Sequence, residues 1–232
     1  IAFTVIGETD ITLWSVEVAD GRARQVLSRR LNAVWGSPFS WLADSRSFVC
    51  LAVPGNRGPE PPAPTVPDGP VVQESSGKAA PAITYQDLLT DPHDEALFEH
   101  YFTAQPVRVT LDGKATEIGA PGLFTRLEPS PDGRHILAGI LHRPYSYLVP
   151  FYRFPERTEV WDLDGKIVKS VVDLPLRENV PTTFGSVPEG PREFEWREDA
   201  PATLVWVEAR DGGDARAEVA IRDEVLMLPA PF

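Results

Sequence analysis

A strand–turn–strand rhythm recurs three times along the chain, and it limits the possible folds more than any other feature. Residues 39–53, "FSWLADSRSFVCLAV", set a strand, a polar turn and an apolar strand in succession. Residues 124–140, "FTRLEPSPDGRHILAGI", repeat the pattern with Pro131-Asp132-Gly133 at the turn, and residues 194–209, "FEWREDAPATLVWVEA", are a third copy. In such a turn proline presets φ and glycine accepts positive φ. A further strand such as "VRVTL" or "TEVWDL" follows, usually with Asp-Gly and one more strand, so "TLDGKATEIG" and "DLDGKIVKSVVDL" read as hairpins. Four strands per unit with irregular inserts predict a mainly β protein, a β-propeller of four-stranded antiparallel blades.

The register predicts inner strands at 39–43, 124–129 and 193–197. On it the chain begins at the second strand of one blade ("IAFTVIG") and stops at the third strand of another ("EVLMLP"). About fourteen strands make about three and a half blades, whereas a closed ring has ~4–8 complete ones. The expectation is therefore a partial propeller over 1–232 that does not close a ring by itself. A start in mid-strand, with no initiator methionine, signal peptide or transit peptide, suggests a fragment.

Two inserts break the rhythm. Residues 54–84 are rich in proline ("PGNRGPEPPAPTVPDGP") and poor in large apolar side chains, a composition that predicts an exposed, partly polyproline loop. Within 85–105, "YQDLLTDPHDEALFEHYFTAQ", Asp91 suits an N-cap, Pro92 the first helical turn, and Asp94 and Glu95 the positive end of the dipole. Leu97, Phe98, Tyr101 and Phe102 then make one apolar stripe, predicting a short amphipathic helix near 92–104 that must dock on something.

Candidate chemistry is sparse. There is no G-x-S-x-G elbow, no phosphate-binding glycine loop and no dinucleotide fingerprint. His93 and His100 are seven apart, where zinc helices space a pair by four, and no third ligand is evident, so they read as solvated helix residues. His135 and His142 flank an apolar strand with no nucleophile in view. Asp211 and Asp214 in "EARDGGDAR" fall short of the six to eight oxygens calcium takes, and a wide polar turn is expected. The six tryptophans are expected to pack between blades. Cys50 lies in an apolar run and reads as a buried, inert thiol. No metal or other cofactor is expected. No apolar run approaches the ~20 residues of a membrane span. The balance of 34 Asp/Glu against 22 Lys/Arg, a net charge of −12, argues against general nucleic-acid binding.

One segment stands out against that acidity. "RPYSYLVPFYRFP", residues 143–155, holds two arginines, three tyrosines and three prolines, and prolines at 144, 150 and 155 exclude a central strand. It reads in two ways. It is either a long loop between the second and third strands of its blade, with tyrosines packed on neighbours and arginines in solvent, or the lining of an anion-binding surface. Arginine can grip a carboxylate through two parallel hydrogen bonds, while tyrosines form an apolar wall with polar tips.

Four stretches, "YQDLLTDPHDEALFEHYFTAQ", "PSPDGRHILAGILHRPYSYLVPFYRFP", "EVWDLDG" and "LVWVEARDGGDA", resemble the propeller domain of prolyl-oligopeptidase-family serine peptidases. The nearest branch is the glutamyl endopeptidase group of plant chloroplasts and bacteria. The resemblance implies a C-terminal α/β-hydrolase domain with the Ser, Asp and His of catalysis, which is not among these residues. It also implies a propeller that caps the active site, admits peptides and unstructured segments, and supplies part of the substrate pocket. Cleavage after acidic residues would make the basic segment intelligible, with Arg143, Tyr145, Tyr147 and Arg153 as candidate substrate-binding residues. The implied partners are a peptide substrate, the hydrolase domain and, through open blade edges, another copy of the chain. The alternative is a non-enzymatic propeller scaffold that binds a protein or peptide.

Overall fold

Consecutive apolar residues in a strand need cover on both faces, because successive side chains point in opposite directions. The computed structural model, which describes residues 1–66, 85–178 and 185–232, supplies that cover by stacking sheets face to face. The first sheet is a meander of β1 (Ala2–Ile6), β2 (Ile11–Val16) and β3 (Ala23–Leu27). The second comprises β4 (Phe39–Trp41), β5 (Ser47–Ala52), β6 (Thr103–Thr110) and β7 (Ala115–Glu117). The third comprises β8 (Gly122–Pro129), β9 (His135–Leu141), β10 (Glu156–Asp162) and β11 (Ile167–Leu174). The fourth is β12 (Pro191–Trp196), β13 (Thr203–Ala209) and β14 (Asp223–Pro229). Among the described residues every pairing is antiparallel, and strands occupy all three regions where first strands of a repeat were expected.

The core follows the alternation of two strands. Along β5, Phe48, Cys50 and Ala52 join Leu13, Val26 and Leu27 of the first sheet, while Val49 and Leu51 face Phe124, Ile136, Ala138 and Trp161 of the third. Along β9, Ile136, Ala138 and Ile140 face back toward the second sheet, and Leu137 packs with Phe194, Trp196 and Leu204 of the fourth. Each large apolar side chain buried in this way contributes ~1.5–3 kcal/mol. Cys50 is part of this interface, and burial pushes its thiol up to about 12, so it stays protonated.

Two expectations need correction, and the end of the expected helix is refined. The second and third sheets are not separate, because Thr103 and Ala104 of β6 pair with Leu123 and Gly122 of β8. Those two residues overhang β7, which covers only Val107–Val109, and their backbone groups take the next available strand. The helix, α1, spans Pro92–Phe102 and stops there because Thr103–Gln105 already belong to β6. Of the tryptophans, Trp161 and Trp196 are buried, but Trp35 and Trp41 are exposed: Trp35 lies outside any strand and Trp41 on an edge strand with one partner. Residues 54–66 form neither helix nor strand, and the rest of the expected proline-rich loop, 67–84, lies outside the described residues.

Two hairpins share the local sequence Leu-Asp-Gly-Lys and differ in what they touch. Gly113 has φ 88°, and an added Cβ would meet only the Val26 carbonyl oxygen at an ordinary 3.5 Å. Gly165 has φ 81°, but there the Cβ would sit 2.2 Å from the backbone nitrogen of Gly119. Gly113→Ala should therefore cost the left-handed penalty alone, ~1–2 kcal/mol. Gly165→Ala should cost clearly more, because two backbones must separate. Urea unfolding of both variants measures the difference, and equal losses would contradict this packing.

Candidate functional site

The proline-broken segment and α1 form one unit. The helix starts where Asp91 accepts a hydrogen bond from the Asp94 backbone N–H at 2.9 Å, with Pro92 in the first turn. At its other end the Asn32 side-chain amide donates to the carbonyls of Tyr101 (2.9 Å) and Thr103 (2.8 Å), and Arg57 donates to Thr103 at 2.6 Å. Carbonyls left over at the end of a helix need such donors. The buried Asn32 amide thereby ties the helix to the turn that precedes β4.

The loop from His142 to Pro155 joins β9 to β10, closed at its base by the His142 N–H donating to the Pro155 carbonyl at 3.0 Å. Its middle packs on the helix. Val149 and Phe154 are buried with Phe102, Leu123 and Leu141, and Phe98 lies against Tyr145 (5.4 Å between ring centroids) and Phe154 (5.9 Å). Phe151 begins a single 3-10 turn, Phe151–Arg153, and touches Trp35 edge-on at 4.7 Å. Of the expected apolar stripe, Phe98 and Phe102 face this cluster. Tyr101 is exposed instead, its hydroxyl bonded to Glu60, and it lines an open apolar cleft with Leu97, Leu89 and Val34.

Polar contacts finish the docking. Glu95 and Glu99 are one helical turn apart on the same face, a spacing at which like charges repel. Arg143 sits between them, pairing with Glu95 and donating from Nε to Glu99 Oε1 at 2.8 Å. The Tyr145 hydroxyl donates to Glu99 at 2.8 Å and the Tyr147 hydroxyl to Glu95 at 2.9 Å. The Arg143 guanidinium also lies 4.7 Å from the centre of the Tyr145 ring. The hydrogen bonds to Glu99 and Glu95 raise the Arg143 pKa. Burial, then the bond to Glu99, pushes the Tyr145 phenol above its ordinary range, and burial with the Glu95 bond does the same for Tyr147.

The four candidate residues therefore divide. Arg143, Tyr145 and Tyr147 converge on two glutamates of the chain's own helix, so Arg143 does not hang free in solvent. Arg153 is apart from them, with its guanidinium 5.3 Å from the Tyr85 ring and no carboxylate partner among the described residues. Sequence reasoning missed Glu95, Glu99 and Asn32. The signal for the first two was present, since a same-face pair of glutamates on a helix next to a basic, aromatic segment asks for a cation between them.

The other candidates are accounted for locally. His142 bonds Asp173 at 2.8 Å, and His135 lies edge-on to Phe232. Asp211 bonds the Gly213 N–H at 2.8 Å and pairs with Arg222 at 3.1 Å, and Asp214 pairs with Arg216. Among the described residues no three metal-ligating side chains cluster, and no helix is long and apolar enough to cross a membrane.

An antiparallel multi-sheet protein carrying a docked helix and an aromatic–arginine loop is thus the class defined by fold and site. Over 221 residues, 94% of its length, the chain is 42% identical to a protein of Oryza sativa subsp. japonica described as a probable glutamyl endopeptidase, chloroplastic. A protein of Arabidopsis thaliana with the same description is 42% identical over 222 residues. The chain is thus similar in sequence, over nearly its whole length, to proteins described as probable glutamyl endopeptidases. It spans about a quarter, 23%, of the length of both relatives. No protein-family model matches it. Among solved structures, a putative TolB from Agrobacterium tumefaciens superposes with a TM-score of 0.42 at 15% identity, covering 75% of this chain and 46% of that one. TolB from Acinetobacter baumannii superposes with a TM-score of 0.43 at 11% identity, covering 98% and 37%.

Two outcomes follow from the docked loop. Phe98→Ala should lower stability by ~2–3 kcal/mol, somewhat under the range for a fully buried phenylalanine. Folding favours the protonated phenols, so their contribution is complete below about pH 10 and declines as pH rises above it, where the unfolded chain's tyrosines ionise. Urea midpoints at pH 8 and pH 11 should show a smaller alkaline drop for the Tyr145→Phe/Tyr147→Phe variant than for the parent.

Proposed function

We propose that these residues are part of the β-propeller of a serine-type peptidase of the prolyl oligopeptidase family, one that cleaves after acidic residues. The observation that carries the reading is the 42% identity, extending over 94% of the chain, to proteins described as probable glutamyl endopeptidases. The sheet arrangement is compatible with it: consecutive antiparallel meanders of three, four, four and three strands, each packed face to face on the next, are what blades require. In this reading the first and fourth sheets are incomplete blades, and the domain division is propeller here, with the catalytic α/β-hydrolase elsewhere in the protein. The propeller's part is to restrict access to the catalytic centre and to help hold the peptide.

The geometry favours Arg153 over Arg143 for gripping an acidic substrate side chain. Arg143 has two carboxylates already, and recruiting it would strand Glu95 and Glu99 as a repelling pair. Arg153 carries no such bond among the described residues. Arg143, Tyr145 and Tyr147 serve the grip indirectly, by holding the loop on the helix.

The test uses the full-length protein with matched Glu and Gln peptides and a serine-directed fluorophosphonate. It should label with the fluorophosphonate and cleave after Glu. Arg153→Gln should lower the Glu/Gln ratio in kcat/KM by ~10- to 100-fold, the worth of a charge-assisted hydrogen bond of ~1.5–3 kcal/mol. Arg143→Gln should lower the melting temperature more than that ratio. A ratio unchanged by Arg153→Gln removes the substrate role, and absence of both labelling and cleavage leaves a non-enzymatic binding scaffold as the function.

A further inference from the structure

Two arginines of the β9–β10 loop lie over tyrosine rings. Arg143 stands 4.7 Å from the centre of the Tyr145 ring, and Arg153 stands 5.3 Å from the centre of the Tyr85 ring. A ring face attracts a guanidinium without accepting its hydrogen bonds, so the N–H donors around the edge of the cation stay free for oxygens. At Arg143 those donors are used, because Glu95 and Glu99 take them, and Tyr145 itself donates to Glu99 at 2.8 Å. At Arg153 they are open. Its side chain makes no hydrogen bond or ion pair among the described residues and is partly exposed. Unlike Arg177 and Arg192, it has no nitrogen buried without a partner. The second arginine–tyrosine pair is the first one without its carboxylate.

The backbone at Arg153 is held from several directions. Its N–H donates to the Pro150 carbonyl at 2.9 Å, and its carbonyl accepts from the Arg177 N–H at 3.0 Å. Arg177 Nη2 donates to the Tyr152 carbonyl at 2.6 Å. Phe151, at the start of the turn, lies 4.7 Å from Trp35, 5.5 Å from Phe102 and 6.2 Å from Phe98 between ring centroids. What remains free is the arginine side chain, whose torsions carry much of the entropy that binding removes. Tyr85 packs against the buried cluster of Phe102, Val149 and Phe154, so its ring is a fixed surface for that side chain to lie on. The Tyr85 hydroxyl is buried with no partner among the described residues, which leaves the contact with Arg153 to the ring.

Building on the reading of Arg153 as the grip for an acidic substrate side chain, we propose that Tyr85 is the positioning residue of that grip. Its ring holds the guanidinium with the donor edge open, so that an arriving carboxylate meets two N–H groups already aligned. Two parallel bonds to a carboxylate require a guanidinium whose plane is set, and an aromatic face sets it without consuming a donor. A carboxylate side chain of the chain's own would also set the plane, but it would fill the site, as Glu95 and Glu99 do at Arg143.

The experiment measures kcat and KM of the full-length protein on matched Glu and Gln peptides for Tyr85→Leu and Tyr85→Phe, alone and combined with Arg153→Gln. Tyr85→Leu should raise KM for the Glu peptide and lower the Glu/Gln ratio in kcat/KM by ~3- to 10-fold. Its kcat should hold, because a contact that orients the grip serves bound substrate and transition state alike. Tyr85→Phe keeps the ring and drops only the unpartnered hydroxyl, so it should keep the parent's ratio. In the Arg153→Gln background Tyr85→Leu should change the ratio no further. A loss of stability alone would lower kcat/KM for both peptides together and leave their ratio intact. Melting temperatures check that each variant folds, and Tyr85→Met takes the place of a leucine variant that does not. Suppose Arg153→Gln lowers the ratio. The positioning role is then overturned, with the grip left standing, if Tyr85→Leu keeps the parent's ratio, if Tyr85→Phe loses as much as Tyr85→Leu, or if Tyr85→Leu acts equally in the Arg153→Gln background. If Arg153→Gln leaves the ratio unchanged, or the full-length protein cleaves neither peptide, the grip itself fails and the role of Tyr85 fails with it.

Discussion

Two strands, β5 and β9, are buried on both faces, and the arrangement of the other sheets follows from that constraint. A strand such as Ser47–Ala52, with every residue buried, cannot sit at the surface of a two-layer sandwich. It needs one sheet against Phe48 and Cys50 and another against Val49 and Leu51. β9 repeats the demand one sheet further on, with Ile136 and Ala138 on one side and Leu137 on the other. Stacking four meanders in sequence order satisfies both strands with short connections. The outer sheets bound the stack among the described residues, and β1 and β14 leave apolar side chains exposed, Val5, Ile6, Val225 and Met227 among them.

A stack of this kind leaves its loops at the rims, and the long β9–β10 loop is where the chain departs from strand logic. Its aromatic residues would be costly in solvent, and its arginine would be wasted on a chain of net charge −12 unless carboxylates were placed to receive it. The helix inserted before β6 supplies both requirements, an aromatic face in Phe98 and Phe102 and a carboxylate pair in Glu95 and Glu99. Neither piece is complete without the other. The helix has a same-face repulsion, and the loop has prolines that bar it from the ladder. Their union fixes the position of Phe151–Arg153, the turn that presents Arg153.

Much of this was legible locally. The turns at Pro131-Asp132-Gly133 and at the two Asp-Gly sites, the N-cap at Asp91 and the strands of each meander depend on residues within a few positions of one another, and local sequence specifies such features well. The buried state of Cys50 was equally plain, because an uninterrupted apolar run has nowhere else to go. The candidate site was half legible. The loop's composition marked it as unusual, but its partners lie more than forty residues earlier in the chain, and proximity across that distance is not encoded in spacing.

By itself, then, the sequence determined the strand rhythm, the turns, the capped helix and the burial of the apolar run around Cys50, since these follow from short-range sterics and hydrophobic periodicity. Only the tertiary structure decided which arginine is occupied and which is not. Arg143 and Arg153 are alike on the page, yet one lies between two glutamates and the other beside a tyrosine ring. The same holds for Gly113 and Gly165, set in the same Leu-Asp-Gly-Lys context, where only the second has another backbone pressed against it. The reason is physical: a turn is fixed by torsions its own residues carry, whereas a charge or a packed glycine takes its meaning from whatever the fold brings within a few ångströms.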